Sequence, residues 1–158
     1  KRLEQKYTIG KVNFDSVIII DFGDSLKSVL TSLVYSDVDQ KEVLIMTVNQ
    51  WFDKSIFLEN SIKNLYYPSV DIKNFQKYKT KYFKIYGVQP TEITILTYDA
   101  LGLIYYIWKK KNYNISSMKD FIIKDSIKGK IGTFKFTEGK LIQKLNIYKV
   151  SDKKFIKF

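Results

Sequence analysis

The sequence predicts an α/β fold in which a parallel sheet is flanked by helices and is followed by a C-terminal antiparallel ribbon. Three observations lead to this prediction. Two short β-branched runs each end in a polar turn that leads into a helical pattern, apolar residues recur at helical spacing after residue 70, and short strand-like segments close the chain. A chain of 158 residues is long enough for a core of its own.

The first strand–turn–helix pattern begins at residues 16–20 (SVIII), an uninterrupted β-branched run that is typical of a buried parallel strand. The polar turn Asp21-Phe22-Gly23-Asp24 follows, and Asp24 or Ser25 can cap the next helix. The apolar positions of that helix recur at i, i+3, i+4, i+7 and i+8, as Leu26, Val29, Leu30, Leu33 and Val34.

The pattern is repeated between residues 43 and 69. Residues 43–47 (VLIMT) predict a second strand, residues 48–53 (VNQWFD) a polar and aromatic turn, and a short helical stretch then runs to about Asn60. Residues 65–69 predict a third strand. Because the strands of βαβ units are parallel, the turns after the first two strands should lie side by side at one edge of the sheet.

Helical spacing dominates from Asp71 onward. Phe75, Tyr78, Tyr82 and Tyr86 predict a helix that ends at Gly87, and a second helix runs from Thr91 to the lysines at 109–111. A third helix is expected over residues 116–124, and residues 133–137, 141–150 and 155–158 predict the antiparallel ribbon. The aromatic residues among the lysines at 75–86 could stack on single-stranded nucleic acid. However, the aromatics fall on one face of the predicted helix and the lysines on the other, which indicates that one face packs in the core and the other faces solvent.

The composition excludes several classes of enzyme. The chain has no Cys and no His, which rules out Ser-His-Asp and Cys-His nucleophiles, HExxH zinc sites and thiolate metal centres. Asp21 and Asp24 could form a catalytic or metal-binding pair, but no third carboxylate lies nearby in the sequence. A helix cap and an exposed acidic residue in a loop are sufficient to explain them. We therefore expect a protein without catalytic residues, metal or cofactor.

The formal charge of +11 invites a nucleic-acid or anionic-membrane interpretation. However, Arg2 is the only arginine among 27 basic residues, and the lysines are spread along the chain. Arginine is the residue that reads guanine edges and grips phosphate in a fork, so no nucleic-acid partner is expected. The codon bias of an AT-rich genome also explains this composition. The apolar stretch 93–108 is too short to span a bilayer and contains Asp99.

The two turns beyond the first two strands supply the candidate ligand-binding residues: Asp21, Phe22, Gly23, Asn49, Gln50 and Trp51. Ligands of open α/β sheets bind beyond the carboxyl ends of the strands. The amides of Asn49 and Gln50 offer donors and acceptors, and the rings of Phe22 and Trp51 offer flat apolar walls. The alternative is that Phe22 and Trp51 serve core or interdomain packing.

Five segments in order resemble the second half of the branched-chain amino-acid receptor family of type I periplasmic binding proteins, and in particular its penicillin-binding-protein-activator-like lipoprotein branch. They are FDSVIIIDFGD at 14–24, LIMTVNQWFD at 44–53, TYDALGLIYY at 97–106 after Pro90, and KGKIGTFKFTEGK at 128–140 followed by NIYKVSDKKFIKF. Each segment alone is weak evidence for the family. The set is more specific, because its members follow the family's order and cover nearly the whole chain.

The resemblance implies a Rossmann-like half of a two-lobed, hinge-closing receptor. Residues 1–70 would form a βαβ portion of lobe two, residues 71–127 helices that return to lobe one, and residues 128–158 a ribbon that crosses back. Phe22-Gly23 and Asn49-Gln50-Trp51 match the two loops of lobe two that face the cleft. Asn49 replaces the acidic residue that pairs with an amino acid's ammonium group in the family, which argues against a free amino acid as the ligand.

The function implied is that of a solute receptor that binds a small polar ligand in the interlobe cleft and feeds an ABC-type membrane transporter. The alternative is an envelope lipoprotein that uses the same fold to contact a protein partner, such as a cell-wall synthase. Either function implies a periplasmic or cell-envelope location, with any lipid anchor on an N-terminal part outside these residues. A half receptor also exposes surfaces through which the fragment could form a homodimer.

Overall fold

The computed structural model describes residues 12–48, 51–59, 62–137 and 140–158. The strands β1 to β8 span Ser16–Ile19, Leu44–Thr47, Leu65–Ser69, Ile127–Lys128, Thr133–Thr137, Lys140–Lys144, Asn146–Ser151 and Lys154–Lys157. The helices α1 to α3 span Gly23–Tyr35, Ile72–Tyr86 and Glu92–Lys110. Short 3-10 helices cover Lys54–Leu58 and Met118–Phe121. The α/β fold class predicted from the sequence is confirmed.

The larger sheet has the strand order β1-β2-β3-β7-β8. β1 is parallel to β2 and β2 is parallel to β3, with Ile18 opposite Met46 and Ile45 opposite Leu65. β7 and β8 then extend the sheet with antiparallel pairing. The predicted parallel sheet is therefore present at one side, and the antiparallel C-terminal strands complete the other.

β1 is less buried than its uninterrupted apolar sequence predicts. Ile19 is buried, but Ile18 is 65% exposed and the following Ile20 is 78% exposed. Among the described strands, β1 is paired on one side only, with β2, because it is the end strand of the sheet. A run of β-branched residues indicates a strand, but it does not indicate whether both sides of that strand are covered.

The chain divides into two compact units, unit one (Lys1–Ser69 and Asn146–Phe158) and unit two (Val70–Leu145). Unit one holds the five-stranded sheet and an aromatic cluster. The ring of Phe52 lies 4.9 Å from that of Tyr148 and 5.4 Å from that of Phe155, in edge-to-face arrangements. Such pairs add to the stabilisation from apolar burial. From α1, Leu26 and Leu30 contribute the buried face.

Unit two contains α2, α3 and a three-stranded antiparallel sheet of β4, β5 and β6. α2 begins where the Asp71 carboxylate accepts a hydrogen bond from the Asn74 N–H at 2.9 Å, and it ends at Gly87, whose φ of 72° is left-handed. This end was predicted from the glycine. A core cluster of α3 and the segment after it contains Leu103, Ile107, Ile123 and Ile127.

The C-terminal half differs from the sequence prediction in two respects. In place of the helix expected over residues 116–124, the structure has only the 3-10 helix Met118–Phe121, which begins with a capping box between Ser117 and Asp120. The strand expected over residues 141–150 is divided into β6 and β7, which belong to different sheets. The predicted single ribbon is therefore distributed over a small sheet in unit two and the end of the large sheet in unit one.

A buried carboxylate of α3 fixes a turn between β4 and β5. Asp99 is 5% exposed, and its two oxygens accept hydrogen bonds from the backbone N–H groups of Lys130 at 2.6 Å and Ile131 at 3.0 Å. A Cβ on Gly129 would lie only 2.6 Å from a carboxylate oxygen of Asp99, so the turn requires glycine there for close approach. The polar residue that interrupts the apolar pattern of α3 therefore joins residues far apart in sequence.

We predict that Asp99→Asn lowers the free energy of unfolding by about 2 kcal/mol, because an amide cannot accept hydrogen bonds from both N–H groups through two oxygens. Urea unfolding at neutral pH measures this change. The control is Asp125→Asn, which removes an exposed ion pair with Lys110 at 3.0 Å and should change stability much less than Asp99→Asn does. Equal effects of the two substitutions would contradict the role assigned to Asp99.

Candidate functional site

The carboxyl ends of β1 and β2 lie next to each other at one edge of the sheet in unit one. The parallel register pairs Ile19 with Thr47, the last residues of the two strands. The buried Thr47 hydroxyl donates a hydrogen bond to the Ile19 carbonyl at 2.8 Å, which joins the strand ends directly. The predicted adjacency of the two strand ends, from which the turns begin, is confirmed.

Asp21 organises the turn after β1. Its carboxylate accepts hydrogen bonds from the Ser25 hydroxyl at 2.5 Å and from the Phe22 N–H at 2.8 Å. The bond from Ser25, and secondarily the bond from Phe22, hold the pKa of Asp21 below its ordinary value of 3.8. The predicted caps Asp24 and Ser25 are not observed, because Phe22 holds the N-cap position of α1 without a side-chain cap hydrogen bond, and Asp21 instead joins the turn to the Ser25 side chain.

Phe22 and Gly23 form the exposed part of the same turn. Phe22 has extended backbone angles, and its ring is 58% exposed. Gly23 begins α1 with a φ of +56°, a conformation that side chains with a Cβ adopt only at a cost. The exposed ring therefore lies at the sheet edge, which is compatible with the predicted apolar wall and not with core packing.

The second turn is only partly described. Asn49 and Gln50, two of the predicted binding residues, lie outside the described residues. Trp51 is half-buried and lines a small recess together with Gly23, the first residue of α1. Of the six predicted site residues, the structure therefore places Asp21, Phe22, Gly23 and Trp51 around the ends of two adjacent strands.

The recess has a volume of about 20 Å³, which is room for about one water molecule. Tyr67 of β3 lines it and is 2% exposed, and its hydroxyl has no hydrogen-bond partner in the described part of the chain. Burial, and secondarily the nearby Tyr148, raise the pKa of Tyr67, so the hydroxyl keeps its proton. An unpaired buried hydroxyl of this kind can accept or donate to a polar atom that enters the recess.

Two charged groups flank the recess. Lys27 of α1 forms an ion pair with Asp24 at 2.9 Å, and this hydrogen bond raises the pKa of the lysine. Burial alone would raise the pKa of Asp53, but hydrogen bonds from the Ser55 hydroxyl and N–H, together with Lys27, lower it overall. The recess therefore lies between a cation and an anion at neutral pH.

Sequence reasoning did not identify Lys27, Asp53 or Tyr67 as site residues. A signal for Tyr67 was available, because it lies two residues from both Leu65 and Ser69 and so shares the buried face of β3 with them. Lys27 faces back toward the N-terminus of α1, as helical side chains do, but its proximity to Asp53 requires the tertiary structure.

Two negative findings concern the described residues. In residues 12–48, 51–59, 62–137 and 140–158 there is no group of three carboxylates that could hold a metal ion. Within the same ranges, no helix has both the length and the apolar content needed to cross a membrane. What the rim offers is a set of hydrogen-bonding groups and two aromatic rings.

The pKa of Asp21 leads to a prediction about pH. A carboxylate with a lowered pKa stabilises the folded state above its unfolded pKa, and this contribution disappears as pH falls through the folded pKa. Ser25→Ala removes the main cause of the lowering, so the variant should be less stable than the parent at neutral pH and equally stable well below pH 3.8. Urea unfolding across this range measures the difference.

The control for that series is Ser28→Ala, since the Ser28 hydroxyl donates to a backbone carbonyl and not to a carboxylate. Its effect on stability should not vary with pH. A pH-independent effect of Ser25→Ala would contradict the role given to Asp21.

No protein-family model and no curated protein matches the sequence. Among solved structures, the chain is similar to the leucine-binding protein LivK from Thermotoga maritima, with a TM-score of 0.56 and 13% identity over 92% of this chain and 44% of that chain. It is also similar to an extracellular ligand binding receptor from Desulfohalobium retbaense, with a TM-score of 0.58 and 11% identity over 91% of this chain and 26% of that chain. The chain thus spans less than half the length of either protein, and it has the fold of part of a type I periplasmic binding protein.

Proposed function

We propose that the chain is the ligand-binding part of a solute receptor and binds a small polar molecule where β1 and β2 end. The observation that carries this proposal is the parallel pairing of the two strands, which brings both turns to one edge. Open α/β sheets bind ligands at this edge. The two similar structures are a leucine-binding protein and an extracellular ligand binding receptor, which supports binding and not catalysis as the function.

In this proposal the two aromatic rings form the apolar walls, and backbone groups of Phe22 and Gly23 together with the amides of Asn49 and Gln50 recognise polar atoms of the ligand. Asp21 positions the first turn through its bonds to Ser25 and Phe22. Tyr67 extends the set, because it lines the recess and its buried hydroxyl has no hydrogen-bond partner among the described residues.

The nature of the ligand follows from the charges at the rim. Asn49 offers an amide where an acidic residue would hold an amino acid's ammonium group. The Asp21 carboxylate is already engaged by two hydrogen bonds. We therefore propose a polar ligand that does not depend on a cationic group, and not a free amino acid.

The wider assignment is also a proposal. Residues 1–70 would belong to lobe two, residues 71–127 to helices that return to lobe one, and residues 128–158 to a crossing ribbon. The complete receptor would close over its ligand, work in the periplasm or cell envelope, and deliver the ligand to an ABC-type transporter. A lipid anchor and membership of the penicillin-binding-protein-activator-like branch fit the same resemblance.

A second candidate function is an envelope protein that contacts another protein, such as a cell-wall synthase, through this edge. The small size of the recess favours it, since about 20 Å³ admits one water and no metabolite unless the turns move. The exposed Phe22 ring would then be a contact for the partner.

The test is a thermal-shift screen of uncharged and anionic polar metabolites, followed by calorimetry. We expect one class of solute to stabilise the protein, and Trp51→Ala to weaken its binding about fivefold to tenfold through loss of an aromatic wall. Trp108→Ala is the matched control, because Trp108 lies in unit two and should leave the affinity unchanged. Failure of every solute to stabilise the protein would contradict the receptor proposal and leave the protein-contact function.

A further inference from the structure

Unit two contains a groove between the C-terminal half of α2 and the N-terminal half of α3, which we call the tyrosine groove. Its volume is about 380 Å³, within the range of small-molecule sites. It is defined by Tyr78, Tyr82, Tyr86, Tyr98, Lys81 and Lys130. The groove lies in a different unit from the strand ends of unit one, so the function proposed above does not use it.

The tyrosine rings form a row in which each ring is tilted by 43° to 60° against its neighbour. Tyr78, Tyr82 and Tyr86 follow one another at successive turns of α2, with ring centroids 5.8 and 4.5 Å apart. Tyr98 of α3 continues the row, with its centroid 5.7 Å from that of Tyr78. A row of rings at these spacings suits a planar apolar body, which can stack on it or meet the ring edges.

The rim of the groove is apolar and exposed. Ile85 is 61% exposed, Ile93 is 68% exposed and Leu101 is 63% exposed, and all three line the groove. Asp99, which is buried and bonded to the turn after β4, is the only charged residue between Ile93 and Trp108. An uncharged helix face of this length is usually covered by something apolar.

The polar groups of the groove carry positive charge. Lys81 and Lys130 line it, and the described residues that line it include no acidic side chain. Lys130 is held in place because the buried Asp99 carboxylate binds its backbone N–H at 2.6 Å. The groove therefore has one cation on α2 and a second on a fixed turn.

The charge of the surroundings has the same sign. Unit two contains 15 lysines and six acidic residues, a formal charge of +9, whereas unit one contributes only +2 to the total of +11. α2 itself contains five lysines and no acidic residue. Such a field attracts anions and opposes the approach of a second copy of the same unit.

We propose that the tyrosine groove binds an amphipathic anion: a small molecule with a planar aromatic body and one carboxylate, sulfonate or phosphate group. The aromatic body lies against the tyrosine row and the exposed aliphatic rim, and the anionic group lies between Lys81 and Lys130. This would be a second binding site, independent of the site at the ends of β1 and β2.

The test compares two fluorescent probes with the same aromatic body, anionic 1-anilinonaphthalene-8-sulfonate and neutral N-phenyl-1-naphthylamine. The variant K81M/K130M removes both cations of the groove, and K73M/K77M removes the same charge from α2 residues that do not line it. We expect the first variant to bind the anionic probe about tenfold more weakly and the second to change its affinity less than twofold. The neutral probe should bind all three proteins equally.

Two further measurements separate this site from its alternatives. Ile93→Glu places a negative charge at the rim and should lower affinity for the anionic probe at least as much as K81M/K130M, with an unchanged far-UV spectrum. Vesicles of phosphatidylglycerol and of phosphatidylcholine test a membrane surface with the same variants.

Several results would overturn the proposal. They are an equal loss of affinity in both lysine variants, no difference between the two probes, and probe binding that appears only when the near-UV signal of the tyrosines is lost. Binding to phosphatidylglycerol vesicles that depends on Lys81 and Lys130, without binding of the free probe, would assign the surface to a membrane instead. The metabolite screen at Trp51 is unaffected by any of these outcomes.

Discussion

Parallel pairing of β1 with β2 brings together the parts of the chain that form the candidate site. The pairing sets Ile19 beside Thr47, and the Thr47 hydroxyl then bonds the Ile19 carbonyl at 2.8 Å. If the register of β1 against β2 slipped by one residue, the side chains of the shifted strand would change faces. The turns that contain Gly23 and Trp51 would then no longer line one recess with Tyr67. The polar chemistry of unit one depends on this register, and its aromatic cluster borders the same recess, because Phe155 belongs to both.

The two units divide the charge of the protein unequally, and this division accounts for two different kinds of surface. Unit one is nearly neutral. Near its recess, Lys27 forms an ion pair with Asp24, and Asp53 caps the 3-10 helix that follows it. Unit two has most of the net positive charge and a row of tyrosines beside exposed aliphatic residues. In a chain without Cys or His, hydrogen bonds, aromatic contacts and the charges of lysines and carboxylates remain as means of recognition. Both proposed sites use these means and neither requires bond chemistry.

Local patterns in the sequence predict what depends on neighbours along the chain. The strands β1 to β3, the helix after each polar turn and the end of α2 at Gly87 follow from run length, spacing and glycine. The division of the last strands between two sheets was not predictable, because residues 141–150 contain no Gly or Pro that would mark a break at Leu145. The hydrogen bonds of Asp99 to Lys130 and Ile131 were not predictable either, because they join residues that are separated by 31 and 32 positions in the sequence. For the site, adjacency of the turns was predictable from parallel pairing, whereas the approach of Lys27 and Tyr67 to Trp51 depends on packing between elements.

The most direct test of this account is the backbone NOE pattern between β1 and β2 in an isotope-labelled sample. At 18.7 kDa the chain is suitable for assignment by NMR. The account predicts α-proton to amide contacts between Val17–Ile19 and Ile45–Thr47 in the spacing of parallel strands, in register with Ile18 opposite Met46. Close contacts between α-protons across the two segments, which indicate antiparallel strands, or no contacts between them, would contradict the placement of both turns at one edge and with it the proposed binding site.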